Sequence, residues 1–320
     1  MQDDPGTSPR DSEPEARDSV AVAVCTYNRH EPLRALLEAV AVNADRLGAR
    51  AAVGVVVVDD SQDANARPVA EAFQGRFELG LEYRHSGRHN ISLARNLALE
   101  TALPLAQWTA MTDDDCLPVP GWLERLLAMQ RATGADAVTG PMLRRVPPGS
   151  PAWLRDEPFL GAAQDPSEDG AERGSAATHN SMISNRWLRE HPEVRFDPAL
   201  GVTGGEDVVF YRLAHSRGLR IRYAAQAVVH EDEPPARATL GYQLRSFFWL
   251  GERSYETSVR SGVRPYRMLW HGLGSLLRAL ARPLGRLARG QAPQLRYSLA
   301  LALRACGILI GPLGLRLRHV

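Results

Sequence analysis

Short apolar runs and amphipathic segments alternate along the first half of the chain. Runs typical of buried strands are followed by segments in which apolar residues recur every three or four positions, as on one face of a helix. The predicted strands are residues 20–24, 53–58, 79–84 and 108–112. The predicted helices are residues 33–40, residues 69–73, a helix through Glu100 that either Asn90 or Ser92 can cap, and a segment that opens at Pro120. This alternation predicts an α/β fold, a mainly parallel sheet with helices on both faces.

The second half of the chain has a less regular pattern. Residues 147–175 are rich in Pro, Gly, Ser and acidic residues, which predicts a long loop of the kind that often forms a functional lid. Shorter signals after it predict a strand at 181–183, a helix at 207–216, a strand pair within 220–229 and a helix at 242–250.

The charge of the chain is divided unevenly along its length. Residues 257–320 contain 11 arginines and no acidic residue, whereas residues 1–256 contain the other 27 arginines and all 37 acidic residues, a net charge of −10. With the polar, acidic start of the chain, which has no apolar run and is not a signal peptide, this predicts three parts. They are a disordered acidic tail at 1–19, a catalytic domain at 20–254 and an Arg/Leu-rich helical region at 255–320.

The composition excludes several kinds of chemistry. All 38 basic residues are arginines, so neither a lysine Schiff base nor a phosphate-binding loop with its lysine is available. The three cysteines, Cys25, Cys116 and Cys306, are far apart, which disfavours a disulfide framework or a cysteine zinc site and indicates a reducing compartment. No G-x-G-x-x-G motif opens a helix, which disfavours a nicotinamide dinucleotide site.

Polar side chains follow three of the four predicted strands. The first strand ends in Thr26-Tyr27-Asn28, the second in Asp59-Asp60-Ser61 and the fourth in Asp113-Asp114-Asp115. Ligands of such sheets bind at the carboxyl ends of the strands, so these residues are expected to meet in one crevice. Three adjacent carboxylates repel one another, and a divalent cation with oxygen ligands, Mg²⁺ or Mn²⁺, removes that repulsion. The pattern favours a metal–nucleotide site; a solvated acidic turn that caps the next helix is the simpler alternative.

Two later motifs add polar groups. Glu206-Asp207 follows two glycines at the start of a predicted helix, where acidic residues either favour the helix dipole or supply a general base. His230 follows a short apolar strand and precedes two acidic residues, so it is either structural or a metal ligand.

Taken in this order and spacing, the motifs resemble those of family 2 glycosyltransferases of the GT-A fold, in particular bacterial exopolysaccharide transferases of the succinoglycan type. The resemblance runs from about Val20 to Leu250. It is carried by Thr26-Tyr27-Asn28, residues 57–61, Ser92-Leu93-Ala94-Arg95-Asn96, residues 112–116, Pro120-Gly121-Trp122-Leu123, residues 204–207 and residues 227–230.

The resemblance implies an inverting transfer of a sugar from a nucleotide-diphosphate sugar, by default a UDP-sugar, to a hydroxyl of a glycan or lipid-linked acceptor. The expected setting is cell-surface or exopolysaccharide synthesis, and the expected cofactor is Mn²⁺ or Mg²⁺. The residues that match donor-nucleotide positions are Thr26, Tyr27, Asn28, Asp60, Arg95, Asp113 and Asp114. Those that match metal positions are Asp115, Asp113 and His230, and those near the acceptor are His179 and Asn180.

The resemblance also assigns the catalytic base to the pair Glu206-Asp207. The spacing from Asp207 to Arg212 is one residue shorter than expected, so either carboxylate could face the acceptor; Asp207 is the predicted base and Glu206 the alternative. The base would deprotonate the acceptor hydroxyl, which attacks the anomeric carbon directly, so that no nucleophile is needed.

The basic C-terminal region predicts a membrane-surface helix. Arg278, Arg282, Arg286 and Arg289 recur at near-helical spacing beside leucines. Residues 297–315 are apolar apart from Arg304 but contain three glycines and a proline, fewer uninterrupted apolar residues than the ~20 that cross a bilayer. An interfacial helix on an anionic membrane surface is therefore expected, and with it a cytoplasmic enzyme peripheral to the inner face of the membrane. Packing on the catalytic domain or on a partner is the alternative, and sparse aromatic residues disfavour nucleic-acid binding.

Two other functions compete with the transferase. A nucleotidyltransferase of similar topology usually has a glycine-rich basic loop after the first strand, where this chain has Tyr27-Asn28-Arg29-His30. A non-catalytic, membrane-anchored nucleotide- or glycan-binding protein would bind nucleotide without a metal.

Overall fold

The structure is a computed structural model, and it describes residues 17–160 and 168–314. The strands within these residues are β1 (Asp18–Thr26), β2 (Ala51–Asp59), β3 (Leu81–His85), β4 (Trp108–Met111), β5 (Cys116–Pro118), β6 (Ala137–Thr139), β7 (Met142–Arg145), β8 (Glu172–Arg173), β9 (Ser181–Ser184), β10 (Ile221–Tyr223) and β11 (Val229–Asp232). The α-helices are α1 (His30–Leu47), α2 (Arg67–Glu71), α3 (Ile91–Ala102), α4 (Trp122–Thr133), α5 (Ala152–Asp156), α6 (Asn185–Glu190), α7 (Glu206–Ser216), α8 (Leu240–Arg260), α9 (Pro265–Leu287) and α10 (Leu295–Ile310). Of the predicted acidic tail, residues 1–16 lie outside the described ranges, and β1 begins at Asp18.

The predicted parallel sheet is confirmed and forms the centre of the molecule. Its strand order is β3-β2-β1-β4-β9-β6-β10-β8, and β1 pairs in parallel with β2 and β4, as β2 does with β3. The exceptions are β9, which runs antiparallel between β4 and β6, and the short β8 at the edge. The four strands predicted from the first half of the chain therefore lie side by side, with their carboxyl ends at one edge.

Helices cover both faces of this sheet, as predicted. All nine residues of β2 are buried, which explains why its sequence is a continuous β-branched run and not an alternating one. On one face, Val55 packs in a core with Leu36 of α1 and Trp122 of α4. On the other face, Val56 packs with Ala98 of α3 and with residues of α6 and α7.

A second, three-stranded sheet was not predicted. Its order is β5-β11-β7, with β11 antiparallel to β5 and parallel to β7. Strand β5 directly follows the acidic triplet, and Glu231 of β11 lies opposite Cys116 of β5. The small sheet therefore places β11 beside the end of the triplet. Strands of three or four residues are too short to show a hydrophobic period, which is why the sequence pattern does not indicate β5 and β7. The strand predicted just before His230 overlaps β11 only at Val229, and His230 lies within β11.

The segment predicted as a long loop, 147–175, is partly helical. It contains α5 and a 3₁₀ turn, Pro158–Leu160, before the gap at 161–167. Phe159 is buried and packs edge-on against Phe247 of α8 and Tyr297 of α10. This part of the segment is therefore attached to the C-terminal helices.

The last three helices do not begin where the charge pattern placed the domain boundary. Helix α8 is continuous from Leu240 to Arg260, so a boundary at 254/255 falls within it. Helix α10 crosses α8 at Gly251 and Gly307, where an added Cβ would meet backbone atoms of the opposite helix at 1.9 and 2.2 Å. Contrary to the expected interruption, α10 continues through Gly307. One helix in the described part of the chain, Leu295–Leu313, is long and apolar enough to cross a membrane, with 33% of it buried, which is weak evidence for a span.

Candidate active site

The strand ends meet at a cavity of about 540 Å³, as the topology predicts. Eight of the predicted site residues line it: Thr26, Tyr27, Asp60, Arg95, Asp113, Asp114, Asp115 and His179. Asn28, Glu206, Asp207, Asn180 and His230 are not part of its lining. The lining also includes residues that the sequence patterns did not indicate, among them Arg29, His89, Glu231 and Arg237.

Arg29 neutralises part of the acidic triplet. Asp114 is buried and accepts a hydrogen bond from Thr26 Oγ1 at 2.8 Å and from Arg29 Nη1 at 2.9 Å. The same nitrogen of Arg29 lies 2.6 Å from Asp115 Oδ2. Burial raises the pKa of Asp114 to about 6, and the positive charge of Arg29 limits this rise. The strand end is thus an organised acidic group with its own counter-ion, and not a solvated turn.

Arg95 connects the acidic triplet to the Gly-Gly-Glu-Asp motif. From α3 it donates to Asp113 Oδ1 at 2.9 Å and forms a second, short ion pair with Glu206 Oε1. Its side chain is 11% exposed. Burial alone would lower the pKa of Arg95, but the charges of Asp113 and Glu206 more than reverse this, so the guanidinium stays charged.

Two glycines set the direction of the Glu206-Asp207 pair. Gly204 and Gly205 have φ angles of +84° and +87°, which other residues rarely adopt, and a Cβ on Gly205 would lie 2.5 Å from Thr257. Helix α7 then begins at Glu206, whose carboxylate is turned inward to Arg95. Its Oε2 is buried without a hydrogen-bond partner in the described structure, and burial raises the pKa of Glu206.

Asp207, by contrast, is only half-buried. Its Oδ1 accepts a hydrogen bond from the amide of Val208 at 2.7 Å. In the described part of the chain, no arginine forms an ion pair with Asp207, so of the two carboxylates it is the one without a counter-ion.

The residues expected to contact the nucleotide base already have protein partners. The carboxylate oxygens of Asp60 accept from the amides of Arg88 at 2.9 Å and Asn90 at 2.6 Å, which fixes the segment before α3. Each oxygen keeps a second lone pair that could accept from a base. Tyr27 stacks on His89, with ring centroids 4.7 Å apart and planes at 9°, so a base would either displace His89 or use the opposite face.

Of the two residues predicted near the acceptor, His179 lies in the cavity wall, and burial lowers its pKa, which keeps the imidazole neutral at pH 7. The prediction for Asn180 is wrong. Its side chain is fully buried and donates to the carbonyl oxygens of Ala227 at 2.7 Å and Pro141 at 2.9 Å. It also accepts from Trp122 Nε1 at 2.8 Å, so no acceptor can reach it.

The structure also does not place His230 with the acidic triplet. Successive residues of a strand point to opposite faces, and on β11 it is Glu231 that lines the cavity. The Nδ1 of His230 is buried and has no hydrogen-bond partner in the described structure. Glu231 pairs with Arg237 at 3.1 Å and Arg144 at 3.5 Å, and burial raises its pKa. The predicted set Asp113, Asp115 and His230 is therefore not assembled.

The carboxylates of Asp113 and Asp115 suit a metal ion shared with a ligand better than a closed protein site. Among residues 17–160 and 168–314, no three His, Cys, Asp or Glu side chains are grouped to hold a metal ion. Asp113 and Asp115 are 39% and 26% exposed at the cavity and offer hard oxygen ligands. Mg²⁺ and Mn²⁺ commonly bind through one or two carboxylates plus phosphate oxygens, and the exposed oxygens of Asp113 and Asp115 fit that mode.

The cavity offers no activated thiol. Cys25 and Cys116 both line it, but burial raises the pKa of Cys25 to about 12 and raises that of Cys116 further. Both are therefore neutral thiols at pH 7, and covalent catalysis through cysteine is excluded.

Known proteins resemble this chain in sequence and in fold. The model of the family described as glycosyl transferase family 2 matches residues 21–191. The succinoglycan biosynthesis protein ExoM of Rhizobium meliloti (strain 1021) is 33% identical over 257 residues, which are 79% of this chain and 77% of that protein.

Two solved structures show the same fold at low sequence identity. The mannosyltransferase PcManGT from Pyrobaculum calidifontis, in complex with GDP-Man and Mn²⁺, has a TM-score of 0.61 at 20% identity and covers 95% of this chain and 90% of its own. Residues 1–349 of S. aureus TarS, in complex with UDP, have a TM-score of 0.53 at 16% identity and cover 94% and 93%.

Proposed function

The chain belongs to glycosyl transferase family 2 and is therefore a glycosyltransferase, and we propose that it transfers a sugar, with inversion, from a nucleotide-diphosphate sugar to a hydroxyl of a glycan or lipid-linked acceptor. The observation that carries this proposal is the cavity itself. There the ends of β1, β2 and β4 bring Tyr27, Asp60 and the acidic triplet together. Arg95 connects the triplet to the Glu206-Asp207 turn through its ion pairs with Asp113 and Glu206.

The relatives indicate which donors and which pathway to test first. The Rhizobium protein acts in succinoglycan biosynthesis, so we propose a role in exopolysaccharide synthesis. The structural neighbours bind UDP, UDP-GlcNAc or GDP-Man. A UDP-sugar is our first candidate for the donor and a GDP-sugar the second.

We assign the catalytic base to Asp207. Glu206 is held in a short ion pair with Arg95 and is buried, so its carboxylate already serves a structural contact. Asp207 is more exposed and, among the described residues, pairs with no cation. It would take the proton of the acceptor hydroxyl as that oxygen attacks the anomeric carbon from the face opposite the nucleotide, and the bond to the diphosphate breaks in the same displacement.

The negative charge on the leaving diphosphate is balanced at the acidic triplet. Mn²⁺ or Mg²⁺ held by Asp113 and Asp115 would supply Lewis-acid stabilisation of this charge. Arg29, whose Nη1 now bridges Asp114 and Asp115, would then be free to donate to a phosphate oxygen. Arg237 lies in the same cavity wall and is positioned by Glu231 for the same contact.

Calorimetric titration tests the donor site. UDP and GDP are titrated with and without Mn²⁺ into the wild type, Asp115→Asn and Asp207→Asn, with the exposed Asp45→Asn as a matched control. We expect metal-dependent binding of one nucleotide that is lost in Asp115→Asn and kept in Asp207→Asn and in the control. Asp207→Asn should lower turnover roughly 10²–10⁴-fold, as removal of a general base does. Full turnover in Asp207→Asn would move the base elsewhere, and nucleotide binding without metal or turnover would favour a non-catalytic binding protein.

We also propose that the enzyme works in the cytoplasm at the inner face of the membrane. The support is the Arg-rich C-terminal helices and the role of the Rhizobium relative in making a cell-surface polysaccharide. Fractionation of cells into cytosol and membranes, with a wash at high salt, distinguishes a peripheral enzyme from a soluble or spanning one.

A further inference from the structure

Helix α9 exposes a continuous apolar stripe. Its members alternate four and three residues apart and stay on one side of a helix about 35 Å long. They are Tyr266, Trp270, Leu273, Leu277, Leu280, Leu284 and Leu287. Trp270 and Leu284 are 71% and 72% exposed, the largest values among the exposed large apolar side chains of the described residues. Every member of the stripe is at least 40% exposed, because α9 contacts α10 through its other side, at Gly272 and Ala279.

An arginine-lined groove lies on a different side of the same helix, between α9 and α10. It has a volume of about 310 Å³, and Arg278, Arg282 and Arg304 line it together with His271. Its apolar wall includes Leu301 and Ile308. At about 100° per residue, Arg278 and Arg282 are turned away from the apolar stripe, toward α10.

Among residues 17–160 and 168–314, no carboxylate pairs with these three arginines, whereas carboxylates neutralise most other arginines there. Arg278 donates to Ser275 Oγ at 3.0 Å, and Arg282 donates to Gln294 Oε1 at 2.7 Å. The Nε of Arg282 is buried with no hydrogen-bond partner in the described structure. From residue 257 to the end of the sequence there is no Asp or Glu, so nothing on α9 or α10 can supply the missing negative charge.

We propose that this groove binds the phosphate of an anionic phospholipid while the apolar stripe lies in the headgroup–acyl boundary of the same bilayer. Guanidinium groups match phosphate geometry with paired N–H donors, and the apolar wall suits the glycerol and the start of an acyl chain. An interfacial helix sinks its apolar face about 5–10 Å, so the far side of a helix 10–12 Å wide stays close to the level of the lipid phosphates. Long arginine side chains on that side can extend their guanidinium groups to the phosphates. The proposal deepens the membrane location proposed above and is independent of the donor chemistry.

A second copy of the chain is the other occupant that the stripe's spacing would allow, because alternating steps of three and four residues also form coiled coils. Charge disfavours it. Paired α9 helices need opposite charges beside the seam, and here the only charged side chains of α9 are arginines, so two copies would repel. The phosphates of an anionic bilayer carry the negative charge that complements these arginines.

Flotation with lipid vesicles tests the proposal on the full-length protein. The wild type is titrated with phosphatidylcholine vesicles with and without phosphatidylglycerol, alongside Arg278→Gln/Arg282→Gln/Arg304→Gln and a matched control. The control is Arg84→Gln/Arg186→Gln/Arg217→Gln, three exposed arginines of the catalytic domain. We expect binding only with phosphatidylglycerol and a loss of about fivefold per groove arginine, or about 100-fold for the triple variant. The control should bind as the wild type does.

Further measurements distinguish a lipid phosphate from a soluble phosphate in the groove, and a bilayer from a second copy of the chain on the stripe. Leu277→Gln/Leu284→Gln should lose vesicle binding yet keep nucleotide affinity. Added salt should weaken the vesicle binding of the wild type, and this test needs no folded variant. Equal binding to neutral vesicles would overturn the proposal, because the groove arginines would then contribute nothing to membrane binding. Thermal stabilisation by inorganic phosphate without flotation would assign the groove to a soluble phosphate. A dimer in sedimentation that Leu277→Gln/Leu284→Gln abolishes, with no flotation, would assign the stripe to a second copy.

Discussion

Replacing Arg95 with methionine should destabilise the protein strongly, because Arg95 is the counter-ion of a buried carboxylate. Glu206 has a side chain that is 6% exposed, and its second oxygen already lacks a partner in the described structure. Removing one member of a buried ion pair typically costs about 3–5 kcal/mol, since the remaining charge is left in a medium of low polarity. Asp113 also loses a partner but is 39% exposed and adds little.

The loss should depend on pH in a defined direction. Burial raises the pKa of Glu206 in the folded protein, and without Arg95 this pKa rises further. A carboxyl whose folded-state pKa is raised costs nothing below its unfolded pKa of about 4.3, and the cost grows by about 1.4 kcal/mol per pH unit up to the folded pKa. The unfolded state is common to both proteins, so the deficit of Arg95→Met relative to the wild type grows only between the two folded-state pKa values of Glu206. It should therefore be small at pH 5 and about 3–5 kcal/mol at pH 8.

Urea denaturation followed by circular dichroism at pH 5 and pH 8 measures this deficit against the wild type. Arg95→Met/Glu206→Gln should recover most of the stability at pH 8, because it removes the uncompensated charge. Arg84→Met, which breaks an exposed ion pair with Glu82, should cost no more than about 1 kcal/mol at either pH. A deficit of Arg95→Met that is equal at both pH values, or that Glu206→Gln does not reduce, would refute the role assigned to this ion pair.

Three further substitutions test particular contacts. Gly307→Ala would place a Cβ 2.2 Å from a backbone carbonyl oxygen of α8, and it should cost at least about 1–3 kcal/mol in thermal or urea unfolding. Gly241→Ala has open space around it and should stabilise the protein by about 0.5–1 kcal/mol. Equal effects of the two substitutions would mean that α8 and α10 are not in contact at Gly307. His230→Ala should leave the calorimetric affinity for nucleotide and Mn²⁺ unchanged, whereas Glu231→Gln should alter it; the opposite result would restore His230 to the metal site. Asn180→Ala removes the partner of Trp122 Nε1 and of the carbonyl oxygen of Ala227, whereas the carbonyl oxygen of Pro141 keeps the amide of Val229. This variant should lower the free energy of unfolding by about 2 kcal/mol or more. A variant of full stability with a raised KM for acceptor would make Asn180 a binding residue instead.

The main sheet and its ligand edge were predictable because their signals are local and long. The nine-residue run of β2 is buried on both faces, and such runs are apolar throughout. Asn90 caps α3 through its side chain, as its residue type suggests. Once the strands are known to be parallel, their carboxyl ends must share one edge, and this places Thr26, Asp60 and Asp113 together without any knowledge of side-chain contacts.

The errors arose where a single residue step or a long-range contact decides the outcome. On β11 one position separates the face that lines the cavity from the face that does not, so the prediction chose His230 where the structure presents Glu231. Asn180 looked like a polar residue near a ligand, but its partners are carbonyl oxygens 39 and 47 residues away, which no local pattern reveals. In the sequence, Arg29 stands only as part of the loop after the first strand, and its contacts with residues 85 and 86 positions later depend on the closed fold.

Helix α8 joins the catalytic turn to the proposed membrane-binding helices, and this determines which experiments can separate the two. Thr257 of α8 lies where a Cβ of Gly205 would be, and Trp249 packs beside Gly204, so α8 supports the backbone that presents Asp207. The opposite side of α8 holds α10 at the close crossing of Gly251 and Gly307. Truncation at the predicted boundary would remove Thr257 and the whole of α10 together, and inactivity of such a fragment would report a lost support for the catalytic turn. Substitutions within α9 and α10, at the apolar stripe or at the arginine-lined groove, can remove membrane binding while the catalytic turn keeps its packing.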